Sequence, residues 1–337
     1  MLFDSRNQLE SNRKRYNRRR FLSFALLAGG AYAGYRWLRD RPKPIAQRQV
    51  RYLTPESEFY SVSIYPGYRP RLDINQWKLQ FLDPQGQGFS LSYAELLQLN
   101  SRRVHKTFIC IENPVGGEAI GNAEWTATPL APLLERLLPE DRQGLRVVFR
   151  ALDGFYSSVP LKTALDERAF IAFEMNGRPL PRDHGYPARV LLPGKYGMKQ
   201  AKWLQSIQVT AEWVRGHWEN QGWSYDCDIR MTSRIDSCHP TSDGRYCLSG
   251  IALCGAQAVG QVEVSCDGGS SWQTARLTSP ARPDAWSSWE FLFKPGRLGE
   301  HLLASRVQDA SGRHQEEGYT GSFPSGSTGL HRVLVQI

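Results

Sequence analysis

The sequence lacks the short motifs that mark the commonest metal and cofactor sites. None of its six cysteines is arranged as C-x-x-C, so a zinc ribbon, a thioredoxin-type pair and an attached haem have no support. It contains no H-E-x-x-H, no Walker A and no G-x-G-x-x-G sequence. It also has no internal repeat and no apolar run of the ~20 residues that a membrane-spanning helix needs. Any cofactor chemistry must therefore rest on a less common pattern.

The sequence lacks a net positive charge outside its N-terminus. The 337 residues carry a formal net charge of +9, but residues 1–51 alone carry +10, so the rest is close to neutral. A nucleic-acid-binding protein needs its lysines and arginines on the folded body. We therefore predict no nucleic-acid partner. The length and the 41% hydrophobic composition are sufficient for two folded domains.

The basic N-terminus is typical of an export signal. Residues 1–33 join a basic stretch to a short apolar run that ends at Ala31-Tyr32-Ala33, a candidate cleavage site. Residues 18–22 resemble the twin-arginine signature of bacteria. These features predict a periplasmic protein, with membrane contact only if the signal stays uncleaved as an anchor. An arginine-rich tail before a short core helix is the alternative.

The remaining chain divides by composition and pattern. The predicted segments are a basic, proline-containing linker at 34–51, an α+β domain at 52–212, a connector at 213–244 and an all-β domain at 245–337.

Local patterns support both domain predictions. In the first domain, helical spacing predicts short helices over 92–99 and 129–138, and apolar runs predict buried strands over 145–151 and 188–192. The second domain shows short strands, with a hairpin turn at 267–269, and no helical pattern. This arrangement favours an immunoglobulin-like β-sandwich.

A series of sequence blocks resembles the molybdopterin-binding domain of the sulfite oxidase family. The blocks follow the family's order and are 107–118, 120–130, 153–161, 173–189 and 197–204. Two later blocks, 262–272 and 329–333, resemble the family's dimerisation domain. The block at 173–189, with its Asp-His-Gly-x-Pro-x-Arg core, is the most specific. The resemblance covers roughly residues 52–337 and implies a homodimer.

The resemblance implies a molybdenum–molybdopterin cofactor and a set of site residues. Cys110 would be the metal ligand, and soft sulfur is what molybdenum prefers. The residues implied to bind the cofactor are Cys110, Asp153, His184, Arg189, Lys199 and Lys202. Taken without the flanking blocks, Cys110 has the more usual fate of a lone cysteine, a buried core thiol. Asp153 is also compatible with a turn residue, and Lys199 and Lys202 with a solvated basic face.

The chain departs from sulfite oxidases at positions that bind the substrate anion. The block 59–63 contains no arginine, and Pro114 and Val115 stand where the family has another. Phe155 replaces the active-site tyrosine, so the adjacent Tyr156 is a catalytic candidate together with Cys110 and Asp153. Because arginine pairs clamp dianions, their loss predicts weak sulfite binding.

The sequence thus predicts an exported molybdenum oxidoreductase that transfers an oxygen atom and two electrons. Its small oxo-substrate is sulfite or a related compound, with Arg69 and Arg71 as candidate replacements for the missing charge. A separate cytochrome or quinone-linked partner would carry the electrons, because the chain has no haem motif and no iron–sulfur cysteine set. One alternative is a reductase of sulfoxides such as protein methionine sulfoxide. Another is a non-catalytic binding or scaffold protein on this fold.

Overall fold

The computed structural model describes residues 42–337, so the predicted export signal at 1–33 lies outside the described residues. The strands are β1 (Lys43–Pro44), β2 (Lys78–Leu82), β3 (Gly88–Ser92), β4 (Arg102–Ile109), β5 (Ile120–Pro129), β6 (Arg146–Ala151), β7 (Tyr156–Pro160), β8 (Phe170–Met175), β9 (Arg178–Pro179), β10 (Arg189–Leu191), β11 (Leu204–Thr210), β12 (Thr232–Pro240), β13 (Tyr246–Leu253), β14 (Val259–Ser265), β15 (Gln273–Thr274), β16 (Arg276–Leu277), β17 (Ser287–Phe293), β18 (Glu300–Asp309) and β19 (His331–Gln336).

The helices are few and short. The α-helices are α1 (Tyr93–Gln98), α2 (Ala131–Leu134) and α3 (Leu161–Ala164), and the 3-10 turns are Glu56–Glu58, Glu135–Leu137, Arg182–His184, Gly197–Lys199 and Glu219–Gln221. Within residues 42–337, no helix has the length and apolar character needed to cross a membrane.

The first domain contains two sheets. One has the strand order β3-β2-β11-β6-β7, in which β11 runs parallel to β2 and the other pairs are antiparallel. The other has the order β10-β8-β5-β4, with β9 paired to β8, and is antiparallel throughout. Together with α1 to α3, these sheets give the α+β architecture predicted from the sequence.

Simple sequence patterns explain the elements of this domain. In β2, Leu79 and Phe81 are fully buried while their neighbours alternate outward, as a strand with one core face requires. Helix α1 begins at a capping box, in which Ser92 and Glu95 each accept a hydrogen bond from the other's backbone N–H. Such a cap stabilises a short helix by about 1 kcal/mol. The buried side chain of Leu96 then packs α1 against the hydrophobic core to which both sheets contribute.

The C-terminal strands form a two-sheet sandwich. One sheet has the order β12-β13-β17-β16, and the other includes β19-β18-β14-β15. The predicted hairpin turn is present, with Gly268 and Gly269 at φ +75° and +108°, a region that favours glycine. After the turn, β15 pairs with β14, but β16 pairs with β17 in the opposite sheet. The stretch from β15 to β16 therefore crosses between the two sheets of the sandwich.

Two predicted boundaries differ from the observed ones. Strand β12 lies inside the segment predicted to be a connector, because its polar side chains hide the alternation that marks a strand. The C-terminal part of the predicted linker lies against the sandwich: Ile45 N–H donates to Leu334 O at 3.2 Å and Arg48 N–H to Asp236 O at 2.7 Å. The sandwich therefore begins before residue 245. It also includes the segment around residues 45–48, which precedes the first domain in the sequence.

Candidate active site

A cavity opens where the ends of several first-domain elements meet. It encloses about 830 Å³, mouth included. Its walls come from the end of β4, the loop after β6, the turn Arg182–His184, strand β10 and two loops, 59–64 and 213–225. Of the residues implied by the family resemblance, those that line it are Cys110, Asp153, His184, Arg189 and Lys202.

Cys110 is the thiol of this cavity. It follows the last residue of β4, and its N–H donates to Ala119 O at 2.9 Å, which fixes the backbone. Burial raises the pKa of the Cys110 thiol, while a hydrogen bond from the Glu112 backbone N–H favours the thiolate and opposes that rise. Within residues 42–337, no three or more His, Cys, Asp or Glu side chains gather into a metal-binding group.

Arg189 places a buried positive charge on the cavity floor. Its residue is 5% exposed, and its guanidinium lies 4.1 Å from the ring centroid of Phe108. Nη1 donates to His184 O at 3.0 Å and Nη2 to Gln200 O at 3.4 Å, but in the described part of the chain Nε has no partner. Burial lowers the pKa of Arg189 to about 9. A buried guanidinium held only by carbonyl groups is suited to an incoming anion.

His184 and Lys202 flank Arg189 with different charge states. Burial, and next the charge of Arg189, lowers the pKa of His184 to about 4, so its imidazole is neutral near pH 7. Lys202 Nζ donates to Ser61 Oγ at 3.0 Å and to Asp183 O at 2.9 Å. Burial and the nearby Arg189 lower the pKa of Lys202 to about 7. The site thus offers one permanent cation, one titrating cation and one neutral imidazole.

Asp153 lines the cavity, and Gly185 allows the close packing of the turn behind it. The Asp153 carboxylate accepts the Phe155 N–H at 3.0 Å, and burial raises the pKa of this carboxyl. Gly185 has φ +112°, and a Cβ there would lie 3.1 Å from Arg189 Cβ and 3.2 Å from Lys202 Cα. Only glycine lets the turn before β10 come this close, which brings His184 and Lys202 together.

Lys199 and Tyr156 lie outside this cavity. The Lys199 ammonium is buried against the Glu219 carboxylate and also donates to Ser158 O at 2.9 Å. The Tyr156 hydroxyl accepts a hydrogen bond from Asn220 Nδ2 at 2.9 Å. Both residues contact the segment 213–225 instead, and the charge of Lys199 is already neutralised there. This placement gives no support to the predicted phosphate-binding role of Lys199 or the predicted catalytic role of Tyr156.

The candidate substitutes for the missing arginines are also elsewhere. Arg69 donates to the Asp183 carboxylate at 2.7 Å and is about half exposed, and Arg71 is exposed on the same loop. Neither lines the cavity. The sequence reasoning did not find Trp218 and Trp223, which do line it, because they fall in the predicted connector and belong to no motif.

Comparison with known proteins identifies the family. Residues 67–218 match the oxidoreductase molybdopterin binding domain, and residues 225–313 match the Mo-co oxidoreductase dimerisation domain. Sulfite oxidase of Gallus gallus is 31% identical over 312 residues, covering 77% of this chain and 67% of that protein. Sulfite oxidase of Arabidopsis thaliana is 33% identical over 269 residues, covering 65% and 68%. The chain belongs to the sulfite oxidase family.

Two further similarities show how much of a longer relative the chain covers and which solved structure shares its fold. Mitochondrial sulfite oxidase of Rattus norvegicus is 31% identical over 288 residues, and the chain spans about half of its length, 52%. The crystal structure of the sulfane dehydrogenase SoxCD from Paracoccus pantotrophus superposes with a TM-score of 0.70 at 20% identity. That match covers 86% of this chain and 85% of the other and shows the shared fold. The family resemblance and the fold class predicted from the sequence are confirmed.

We expect Lys202→Met to stabilise the cofactor-free form of this sulfite oxidase family member. The pKa of Lys202 falls from an ordinary value of about 10.4 to about 7 on folding. A base whose folded-state pKa is lowered opposes folding, fully below pH ~7 and less as the pH rises toward ~10. The substitution also removes the hydrogen bonds of Lys202. With that loss subtracted, it should add about 2 kcal/mol to the free energy of unfolding near pH 6.

The measurement is urea unfolding of the cofactor-free protein near pH 6 and near pH 9.5. The gain should shrink at the higher pH, because the wild-type amine is then neutral in the folded state and loses little on folding. A gain of equal size at both pH values would show that packing, not the buried charge, is responsible.

Proposed function

We propose that this chain binds molybdenum–molybdopterin in the cavity and catalyses two-electron oxo transfer on a small sulfur compound. The observation that carries the proposal is the pairing, in one cavity, of the single thiol of Cys110 with the incompletely partnered guanidinium of Arg189. The sulfite oxidases and the sulfane dehydrogenase to which the chain is similar support sulfur as the reacting element.

The residues of the cavity fit this cofactor. Molybdenum favours thiolate sulfur, which Cys110 supplies as one protein ligand. The pterin phosphate needs cations and hydrogen-bond donors, which Arg189 and Lys202 supply from β10 and the segment after the turn Gly197–Lys199. The neutral His184 adds a polar group without further charge.

The chain's own groups have separable tasks. When bound, the cofactor supplies a metal centre that exchanges an oxygen atom and two electrons with the substrate. The Glu112 N–H stabilises the thiolate of Cys110, and Arg189 holds the anionic end of the cofactor from the floor. Asp153, whose carboxyl pKa is raised by burial, can take up or release a proton at the cavity wall. The aromatic side chains that line the cavity would limit the access of water to the reacting atoms.

The partners and location follow from the domains. We propose a homodimer formed through the C-terminal sandwich, which the match to a dimerisation domain supports. A separate redox protein would exchange electrons with the site, and export would follow the twin-arginine pattern at residues 18–22. Sulfite should bind weakly, since neither Arg69 nor Arg71 lines the cavity.

The test is the molybdenum and pterin content of full-length protein from a host that makes the cofactor. We expect about one molybdenum per chain, and protein without molybdenum overturns the proposal. Arg189→Gln should lower cofactor occupancy at least about tenfold, the effect of one charged hydrogen bond. Arg142→Gln, which removes an exposed pair with Glu135, is the matched control and should leave occupancy unchanged. Molybdenum-loaded protein that turns over neither sulfite nor a sulfoxide would contradict the catalytic part.

A further inference from the structure

The cavity has a charged floor and an apolar rim. Arg189 and His184 are 5% and 4% exposed and lie deep. Four apolar side chains, Val62, Ile64, Trp218 and Trp223, line the same cavity but reach solvent, and we call them the rim. The hydroxyl side chains of Ser61 and Ser63 alternate with Val62 and Ile64 along the same loop.

In the described part of the chain, Arg189 and Lys202 are the basic side chains that line this cavity, and neither belongs to the rim. Lys202 directs its ammonium to Ser61 and Asp183, and the exposed charged side chain that lines the cavity beside Cys110 is the carboxylate of Glu112. A small dianion would approach past this negative charge, and the arginine that lines the cavity, Arg189, lies deep and is assigned above to the anionic end of the cofactor. The rim therefore disfavours sulfite by charge and favours an uncharged molecule by its apolar surface.

The aromatic half of the rim is held rigidly. Trp218 directly precedes Glu219, whose carboxylate pairs with the buried Lys199, and both of these side chains are 1% exposed. Arg215 Nη2 donates to Glu219 O at 2.8 Å, and the Trp223 ring meets Phe323 edge-on at 5.1 Å between centroids. Rigid aromatic surfaces bind ligands at a low cost in conformational entropy. The segment 213–225 therefore holds the indole rings of Trp218 and Trp223 in fixed positions for contact with a ligand that enters the cavity.

We propose that the rim selects an uncharged organic oxo-compound with an apolar substituent, of which an aryl sulfoxide is the simplest example, over a small sulfur oxyanion. This inference rests on the proposed function and specifies its substrate class. In the reductive direction the S–O bond breaks, the sulfoxide sulfur gains two electrons to become a thioether, and the oxygen leaves with two protons as water. A one-electron carrier, oxidised twice per turnover, supplies the electrons.

The experiment uses full-length, molybdenum-loaded protein, with rates expressed per molybdenum. Methyl phenyl sulfoxide and dimethyl sulfoxide are reduced with reduced methyl viologen, and sulfite oxidation is followed with ferricyanide. We expect kcat/KM for methyl phenyl sulfoxide to exceed that for dimethyl sulfoxide at least about tenfold, as burial of a phenyl ring against indole predicts. The KM for sulfite should be the highest of the three.

Variants connect the preference to the rim. Trp218→Ala and Trp223→Ala should each lower the ratio of the two sulfoxide kcat/KM values by about threefold or more, and Trp218→Phe should retain most of it. Trp213→Ala is the matched control, because Trp213 lies on the same segment, is 64% exposed and does not line the cavity. Loaded protein that prefers sulfite, or a ratio unchanged in both alanine variants, overturns this inference alone. Protein that holds no molybdenum overturns the proposed function and the inference together.

Discussion

Cys110→Ser should lose at least 99% of turnover per molybdenum while keeping its fold. A ligating thiolate is lost, and a serine hydroxyl remains protonated near pH 7 and is a harder ligand than molybdenum prefers. Changes to groups that only support a ligand commonly cost about 10- to 100-fold, so removal of the ligand itself should cost at least about 100-fold. Cys110 is only partly buried, and the sulfur-to-oxygen change should alter the free energy of unfolding by about 1 kcal/mol or less.

Steady-state turnover, molybdenum content and thermal unfolding separate these effects. Cys247→Ser is the matched control, since Cys247 is also a free, partly buried thiol but lies in the sandwich on β13. Its turnover should match that of the wild type. If Cys110→Ser retained near-normal turnover, the ligand assignment would be wrong even with the rest of the cavity unchanged.

Local pattern was sufficient for much of the fold. The capping box of α1, the apolar run that becomes β6 and the two-glycine turn after β14 each depend on neighbours close in sequence. The exchange of β16 to the opposite sheet depends on partners that the local pattern does not specify. The same is true of the segment 45–51, which follows Pro42 and Pro44 and carries Arg48 and Arg51, so that it resembles a linker although its backbone bonds to the sandwich.

The site residues likewise fall into two groups, those that the local sequence predicts and those that only the tertiary structure reveals. Cys110, His184 and Arg189 each belong to a sequence block with family character, and the structure brings them into one cavity. The rim residues Trp218 and Trp223 belong to no block, and only the tertiary structure places them in the same cavity as the Cys110 thiol. Their position depends on a buried ion pair between residues 20 positions apart, Lys199 and Glu219, which charge counting cannot reveal.

Glu219→Ala should destabilise the protein by about 3–5 kcal/mol, the usual result of removing one partner of a buried ion pair. The Lys199 ammonium would stay buried, with the Ser158 carbonyl as a remaining acceptor. Urea unfolding measures the loss. The matched control is Glu135→Ala, which breaks an exposed pair with Arg142 and should cost about 1 kcal/mol or less.

A double variant that removes both partners of this ion pair distinguishes the two roles considered for Lys199. The double variant Lys199→Met with Glu219→Leu leaves no unpaired charge, so it should recover most of the stability lost in Glu219→Ala. If Lys199 instead bound the cofactor's phosphate, as its sequence block implies, the double variant would be stable but poor in molybdenum. If Lys199 only anchors the segment 213–225, the double variant should have a near-normal molybdenum content, because Arg189 and Lys202 still line the cavity. A loss below about 1 kcal/mol in Glu219→Ala would contradict the anchoring role directly.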